Sequence, residues 1–136
     1  MSKFPQDIQI FLEPILAEGH QVWLAGSRAN RTAHQNSDWD FIIIANKQLL
    51  EALSATPNPG NIDALIVTDG DSFVCPCKRP IDGATKSGSL STWQWQITSE
   101  NSASYIGSKL TDGWDCERNE IAVRILNPTL IPAIIY

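Results

Sequence analysis

Asp38 and Asp40 stand two residues apart at the opening of a strongly β-prone run, Trp39 to Ala45. Side chains alternate across a strand, so this spacing sets both carboxylates on one face, with Cα atoms roughly 6.6 Å apart. Trp39 and Phe41 then turn to the opposite face, into the core. Two carboxylates held side by side repel each other unless something positive lies between them. A hard divalent cation suits that role, because Mg²⁺ takes oxygen ligands and shares its shell readily with phosphates. A third acid, Asp63, opens the next apolar run, Ile62 to Val67. If the two runs are neighbouring strands, Asp63 joins the others across the sheet. Three acids suffice for two metal ions roughly 3.5–4 Å apart, the arrangement used for in-line phosphoryl displacement. An acid is otherwise a costly choice there, since burying an unpaired charge is expensive.

Gly26-Ser27 ends the apolar run Val22-Trp23-Leu24-Ala25 that precedes the acids. Glycine allows backbone to approach a ligand closely, and the N–H groups of such a turn, with the Ser27 hydroxyl, can cradle phosphate. Arg28 and Arg31 follow, where guanidinium groups could hold phosphate oxygens.

These residues need a rigid frame, and the hydrophobic pattern supplies one. Ile8, Phe11, Leu12, Ile15 and Leu16 recur at helical spacing, and Gly19 offers a stop. Pro14 interrupts that pattern, so the helix either kinks there or gives way to a second turn. Val22 to Ala25 reads as a buried strand, residues 28–37 as a loop or short turn, and Trp39 to Ala45 as a central strand. Lys47 to Ala55 forms a short helix with Leu49, Leu50 and Leu53 on one side, broken by the Thr56–Gly60 segment. Ile62 to Val67 is a third strand, closed by a turn at Asp69-Gly70. In the second half, Pro80 to Ser89 reads as a loop. Leu90 to Thr98 alternates as a half-buried strand should, with Trp93, Trp95 and Ile97 on one face. Ser99 to Leu110 carries Ala103, Ile106 and Leu110 on one helical side, Thr111 to Asp115 is a turn, and Glu120 to Leu126 is a last strand. The expected architecture is α/β: one domain, a mixed β-sheet flanked by helices.

The run Gly26-Ser27-Arg28-Ala29, eight further residues, Ser37-Asp38-Trp39-Asp40 and then Asp63 one strand later resembles the DNA polymerase β-type nucleotidyltransferase superfamily, and within it the minimal nucleotidyltransferases. The resemblance covers about residues 20–68. It departs from the pattern at Arg31, where members usually carry a second glycine. It implies a nucleotidyltransferase fold in which Asp38 and Asp40 bind two Mg²⁺ ions. Asp63 would bind the catalytic ion and help deprotonate the attacking hydroxyl. Gly26, Ser27 and Ser37, with Arg28 and Arg31, would bind the nucleotide. The implied reaction moves a nucleoside monophosphate from an NTP, expected to be ATP, to a hydroxyl of a protein or small molecule and releases pyrophosphate. It also implies a setting as the antitoxin-like half of a two-component module, with a toxin as partner. The competing reading is a non-catalytic nucleotide- or partner-binding protein with the same fold.

Composition narrows the field. At 136 residues and 43% apolar content the chain can build one core. No segment reaches the roughly 20 apolar residues that span a bilayer. The start lacks the basic head and apolar middle of a signal peptide, so a cytoplasmic location is expected. A net charge of −5 argues against an extended nucleic-acid footprint. Cys75, Cys77 and Cys116 are too few for a disulfide scaffold and read as reduced thiols. His20 and His34 have no metal-spaced partner, and Lys78-Arg79 reads as a solvated basic pair.

Overall fold

The computed structural model describes residues 3–30, 38–55, 61–74, 87–111 and 114–132. The chain runs α1 (Gln6–Ala17), β1 (Gln21–Ala25), α2 (Gly26–Ala29), β2 (Trp39–Ile44), α3 (Lys47–Ala55) and β3 (Ile62–Val67). It continues through β4 (Ser72–Val74), β5 (Ser87–Ser89), β6 (Gln96–Ser99), β7 (Ser102–Thr111) and β8 (Trp114–Ile125). All eight strands join one curled mixed sheet in the order β5-β4-β3-β2-β1-β8-β7-β6. The class is therefore α/β with a mixed sheet, as expected. Helices are few.

Sheet centre and helix face follow directly from the apolar runs. β1 lies antiparallel between β2 and β8, and β2 pairs in parallel with β3. A parallel pair requires a crossover, and α3 lies within it. The central strands are buried on both faces, which is why they read as continuous apolar runs. On one face Val22, Leu24, Phe41, Ile43, Ala64 and Ile66 join Ile8, Leu12 and Ile15 of α1 in one core. Phe11 stacks on Phe41 at 6.1 Å between ring centroids. Pro14 lies within a single continuous α1, on its exposed side.

The other face is covered by the second half of the chain. Trp23, Ala25, Ile42, Leu65 and Val67 meet Phe73, Leu90, Ala103, Tyr105 and Ala122 there. The segment 90–95 closes the curl. Trp93 packs on Phe73 of β4 at 4.8 Å and on Tyr105 of β7 at 5.6 Å, although four strands separate β4 from β7 in the sheet. Asp71 receives hydrogen bonds from the Ser91 N–H and hydroxyl at 2.8 and 3.0 Å, tying the same segment to the β3–β4 turn. That turn is shaped by Asp69, whose Oδ1 accepts from the N–H groups of Asp71 and Ser72. These bonds hold the Asp69 carboxyl below its usual range.

Two sequence expectations are corrected. Residues 99–110 were expected to include a helix, yet β7 covers Ser102–Thr111 and pairs with β8 over ten positions. Ala103, Ile106 and Leu110 do lie at helical spacing, but the long antiparallel partner outweighs so short a pattern. Leu90 to Thr98 is a strand only from Gln96. Before it the chain turns, with Trp93 N–H and Trp95 N–H both donating to the Leu90 carbonyl at 3.1 Å and Gln94 at φ 55°. Trp93 and Trp95 pack inward from a turn rather than from a strand, whereas Ile97, expected on the same face, is 58% exposed on β6.

The α1 face yields a first prediction. Ile8 and Leu12 are fully buried while Ile10, on the same helix, is 64% exposed. Leu12→Ala should cost about 2–5 kcal/mol, whereas Ile10→Ala should change stability by less than about 0.5 kcal/mol. Urea denaturation of both variants measures the contrast.

Candidate active site

The parallel register of β2 and β3 sets Asp40 directly beside Asp63. Both lie on the sheet face away from α1, since their neighbours Trp39, Phe41, Ile62 and Ala64 fill the helix-side core. Asp63 is 8% exposed and Asp40 half-buried. On the other side of β2, Ala25 of β1 is the register partner of Asp40, so Gly26 begins its turn beside that carboxylate. Asp40, Asp63 and Gly26 open on a cavity of about 360 Å³, whose far wall carries Trp93, Tyr105 and Glu120. Among the described residues its lining holds three carboxylates and no lysine, arginine or histidine. Such a wall favours a cation, or an anion that arrives with one.

Gly26 has a φ of +67°. A Cβ at this position would run into Oδ2 of Asp40 and lie 2.9 Å from its Cγ. The Asp40 carboxylate thus occupies the space that any other residue at position 26 would fill. Hydrogen bonds hold Gly26 at both ends. Its N–H donates to the Tyr105 hydroxyl at 2.9 Å, and its carbonyl accepts from Asn30 Nδ2 at 2.7 Å. Asn30 also bonds the backbone of Ile121, receiving from its N–H at 2.8 Å and donating to its carbonyl at 3.1 Å. Tyr105 in turn donates to Glu120 Oε2 at 2.8 Å.

Other sequence candidates fall elsewhere. Asp38 lies one residue before β2, half-buried, and does not line the cavity; nor does Ser27. The Arg28 guanidinium rests over the Trp39 ring, 4.4 Å from its centroid. Trp39 belongs to the helix-side core, so this contact seats the guanidinium beside that core. Its aromatic partner explains that choice, because a guanidinium gains by stacking on an indole face. Arg31 and Ser37 lie outside the described residues, as do His34, Cys75, Cys77, Lys78 and Arg79. Among the described residues, no group of three or more His, Cys, Asp and Glu gathers closely enough to hold a metal ion.

Tyr105 and Glu120 did not emerge from the sequence as site residues. The helical reading of residues 99–110 hid the fact that Ala103 and Tyr105 share one strand face. Burial pushes the Tyr105 hydroxyl well above the ordinary phenol range. The Gly26 N–H pulls against this, and the negative charges of Glu120 and Asp40 reinforce it. Tyr105 therefore keeps its proton and remains a donor to Glu120.

Comparison with known proteins found no family model, no curated protein and no solved structure that matches this chain. Among the described residues, no helix is long and apolar enough to cross a membrane.

Two predictions follow from this geometry. Gly26→Ala combines a left-handed backbone with a collision and should destabilise the protein by about 2 kcal/mol or more. Gly26→Ala with Asp40→Ala should cost less than the sum of the two single changes, by about 1 kcal/mol, because the second removes what the first strikes. Urea unfolding of the four proteins closes that cycle. The second concerns pH. A hydroxyl whose folded pKa lies above its unfolded value of about 10 lends stability that is fully present below pH 10 and lost as pH rises further. Stability should decline above about pH 10 more steeply in the wild type than in Tyr105→Phe, measured as urea midpoints between pH 8 and 11.

Proposed function

We propose that this protein is a divalent-metal-dependent nucleotidyltransferase. It would transfer a nucleoside monophosphate from an NTP to a hydroxyl of a protein or small molecule. The observation that supports the reading is the side-by-side register of Asp40 and Asp63 on parallel strands, opening on the same cavity as Gly26. Resemblance of the 26–63 segment to the minimal nucleotidyltransferases supplies the reaction class. The donor set is carboxylate oxygen, the chemistry that Mg²⁺ prefers. When bound, Mg²⁺ would neutralise phosphate charge and polarise the phosphorus under attack.

The chain's own residues then divide the work. Asp63, the more buried acid, accepts the proton of the acceptor hydroxyl as its oxygen attacks the α-phosphorus. The bond from that phosphorus to the pyrophosphate oxygen breaks, and pyrophosphate leaves. Asp40 would hold the metal from the cavity wall, whereas Asp38 and Ser27, which lie outside the lining, would reach the metal and the phosphates only from beside it. The Gly26 N–H is already taken by Tyr105, so its part is to let backbone pass close to Asp40. The acidic lining also bears on selectivity, since the carboxylates of Asp40, Asp63 and Glu120 would repel an NTP that arrived without its metal.

A second reading is favoured by one specific observation. The acids do not gather into a three-ligand group among the described residues, as suits a nucleotide- or partner-binding protein without turnover. Thermal unfolding with each NTP, with and without Mg²⁺, separates the two. The transferase reading expects stabilisation of roughly 2.7 kcal/mol at about 100 times the dissociation constant. It should require Mg²⁺ and disappear in Asp40→Asn. Stabilisation by nucleotide alone, unchanged in Asp40→Asn, would support the binding protein; no response to any nucleotide would overturn the transferase.

A further inference from the structure

The Gly26 turn is positioned by residues that lie about eighty positions further along the chain. Tyr105 is 5% exposed, and its ring stacks with Trp93 at 5.6 Å and 26° and with Trp95 at 6.1 Å and 27°. Its ring therefore has little freedom to move. Its single hydroxyl proton goes to Glu120, which leaves an oxygen lone pair for the Gly26 N–H. Gly26 in turn abuts the Asp40 carboxylate, which occupies the place of its missing Cβ. The contacts form one chain: Glu120, Tyr105, Gly26, Asp40.

We propose that Tyr105 is a positioning residue, which, held by Glu120, pins the Gly26 turn and so fixes the orientation of the Asp40 carboxylate. In its consequence for ligands the proposal rests on the metal–nucleotide reading given above. In its mechanical content it does not. The buried aromatic stack aims the hydroxyl, Glu120 orders its proton, and the resulting acceptor fixes the N–H end of a turn whose carbonyl end Asn30 already holds. The turn so held leaves the carboxylate one side of its space walled by glycine backbone. A shift of the turn by a few tenths of an ångström would open room for other side-chain rotamers of Asp40.

Tyr105→Phe deletes the hydroxyl and keeps the stacked ring, so it tests the pin directly. NMR of the labelled chain reads two quantities: exchange of the Gly26 amide and the χ1 coupling constants of Asp40. Gly26 exchange should rise about tenfold, and Asp40 should change from one rotamer to an average. The paired β1 and β2 amides of Trp23 and Phe41 should stay protected. Glu120→Gln, which still offers an oxygen acceptor to Tyr105, should behave as wild type, and Glu120→Ala should resemble Tyr105→Phe. An unaltered Gly26 amide and Asp40 rotamer in Tyr105→Phe would overturn the proposal. So would a general loss of protection across β1 and β2 in both Tyr105→Phe and Glu120→Ala, which would mark a merely structural role. Mn²⁺ titration, read by water-proton relaxation, separates the underlying reading: its dissociation constant should rise about fivefold in Tyr105→Phe. Failure of Mn²⁺ to bind the wild type, with Asp40 still loosened in the variant, would sink the metal reading and leave the positioning role standing.

Discussion

The close approach of the Gly26 backbone to the Asp40 carboxylate governs this structure. It is possible because β1 and β2 are antiparallel neighbours with Ala25 opposite Asp40, so the chain turns just where the carboxylate rises from the sheet. Any side chain at position 26 would displace that carboxylate. The turn must therefore be held, and it is held from both ends by groups anchored on β8. The Tyr105 hydroxyl is fixed to Glu120, and the Asn30 amide is fixed to Ile121. A site that looks local in sequence depends on a strand nearly a hundred residues further on.

The sheet's two faces divide the labour. Toward α1 the strands present only apolar side chains, and an ordinary packed core results. Toward the second half the same strands alternate apolar residues with Asp40 and Asp63. This second face cannot close completely without burying charge at high cost. The curl of the sheet brings Trp93, Tyr105 and Glu120 over the acids and leaves a cavity between. The apolar part of that wall is consolidated by aromatic contacts: Trp95 meets Trp23 edge-on at 5.4 Å, and Trp93 reaches across to Phe73. The rigidity of this wall allows a single hydroxyl to act as a fixed point.

Placing acids together in a cavity works against stability unless a cation or a hydrogen-bond donor compensates. Natural chains accept such a cost where a ligand recovers it, and polar groups are then found where packing alone would choose apolar ones. Among the described residues, Asp63 is the clearest polar group in a position where packing alone would choose an apolar one. It stands within a strand buried at every position.

The sequence by itself determined the central sheet. Val22 to Ala25, Trp39 to Ala45 and Ile62 to Val67 are apolar runs bounded by turn residues, and each became a strand within one residue of its expected ends. Lys47 to Ala55 became α3 with the same bounds. Those elements carry their signal locally, in runs long and apolar enough to be unambiguous. Alternation suggested a common face for Asp38 and Asp40, but Asp38 falls one residue before β2 and off the cavity, while the order of runs suggested a place for Asp63 near Asp40. Only the tertiary structure decided the parallel register that sets Asp40 beside Asp63, and the stacking that turns Arg28 toward Trp39. It alone decided that residues 102–111 are strand rather than helix, because a short amphipathic pattern is compatible with either and the hydrogen bonds to β8 choose. Tyr105 and Glu120 entered the site for the same reason. Their meeting with Gly26 spans 79 residues in one case, a separation at which no local pattern carries information and only the curl of the sheet does.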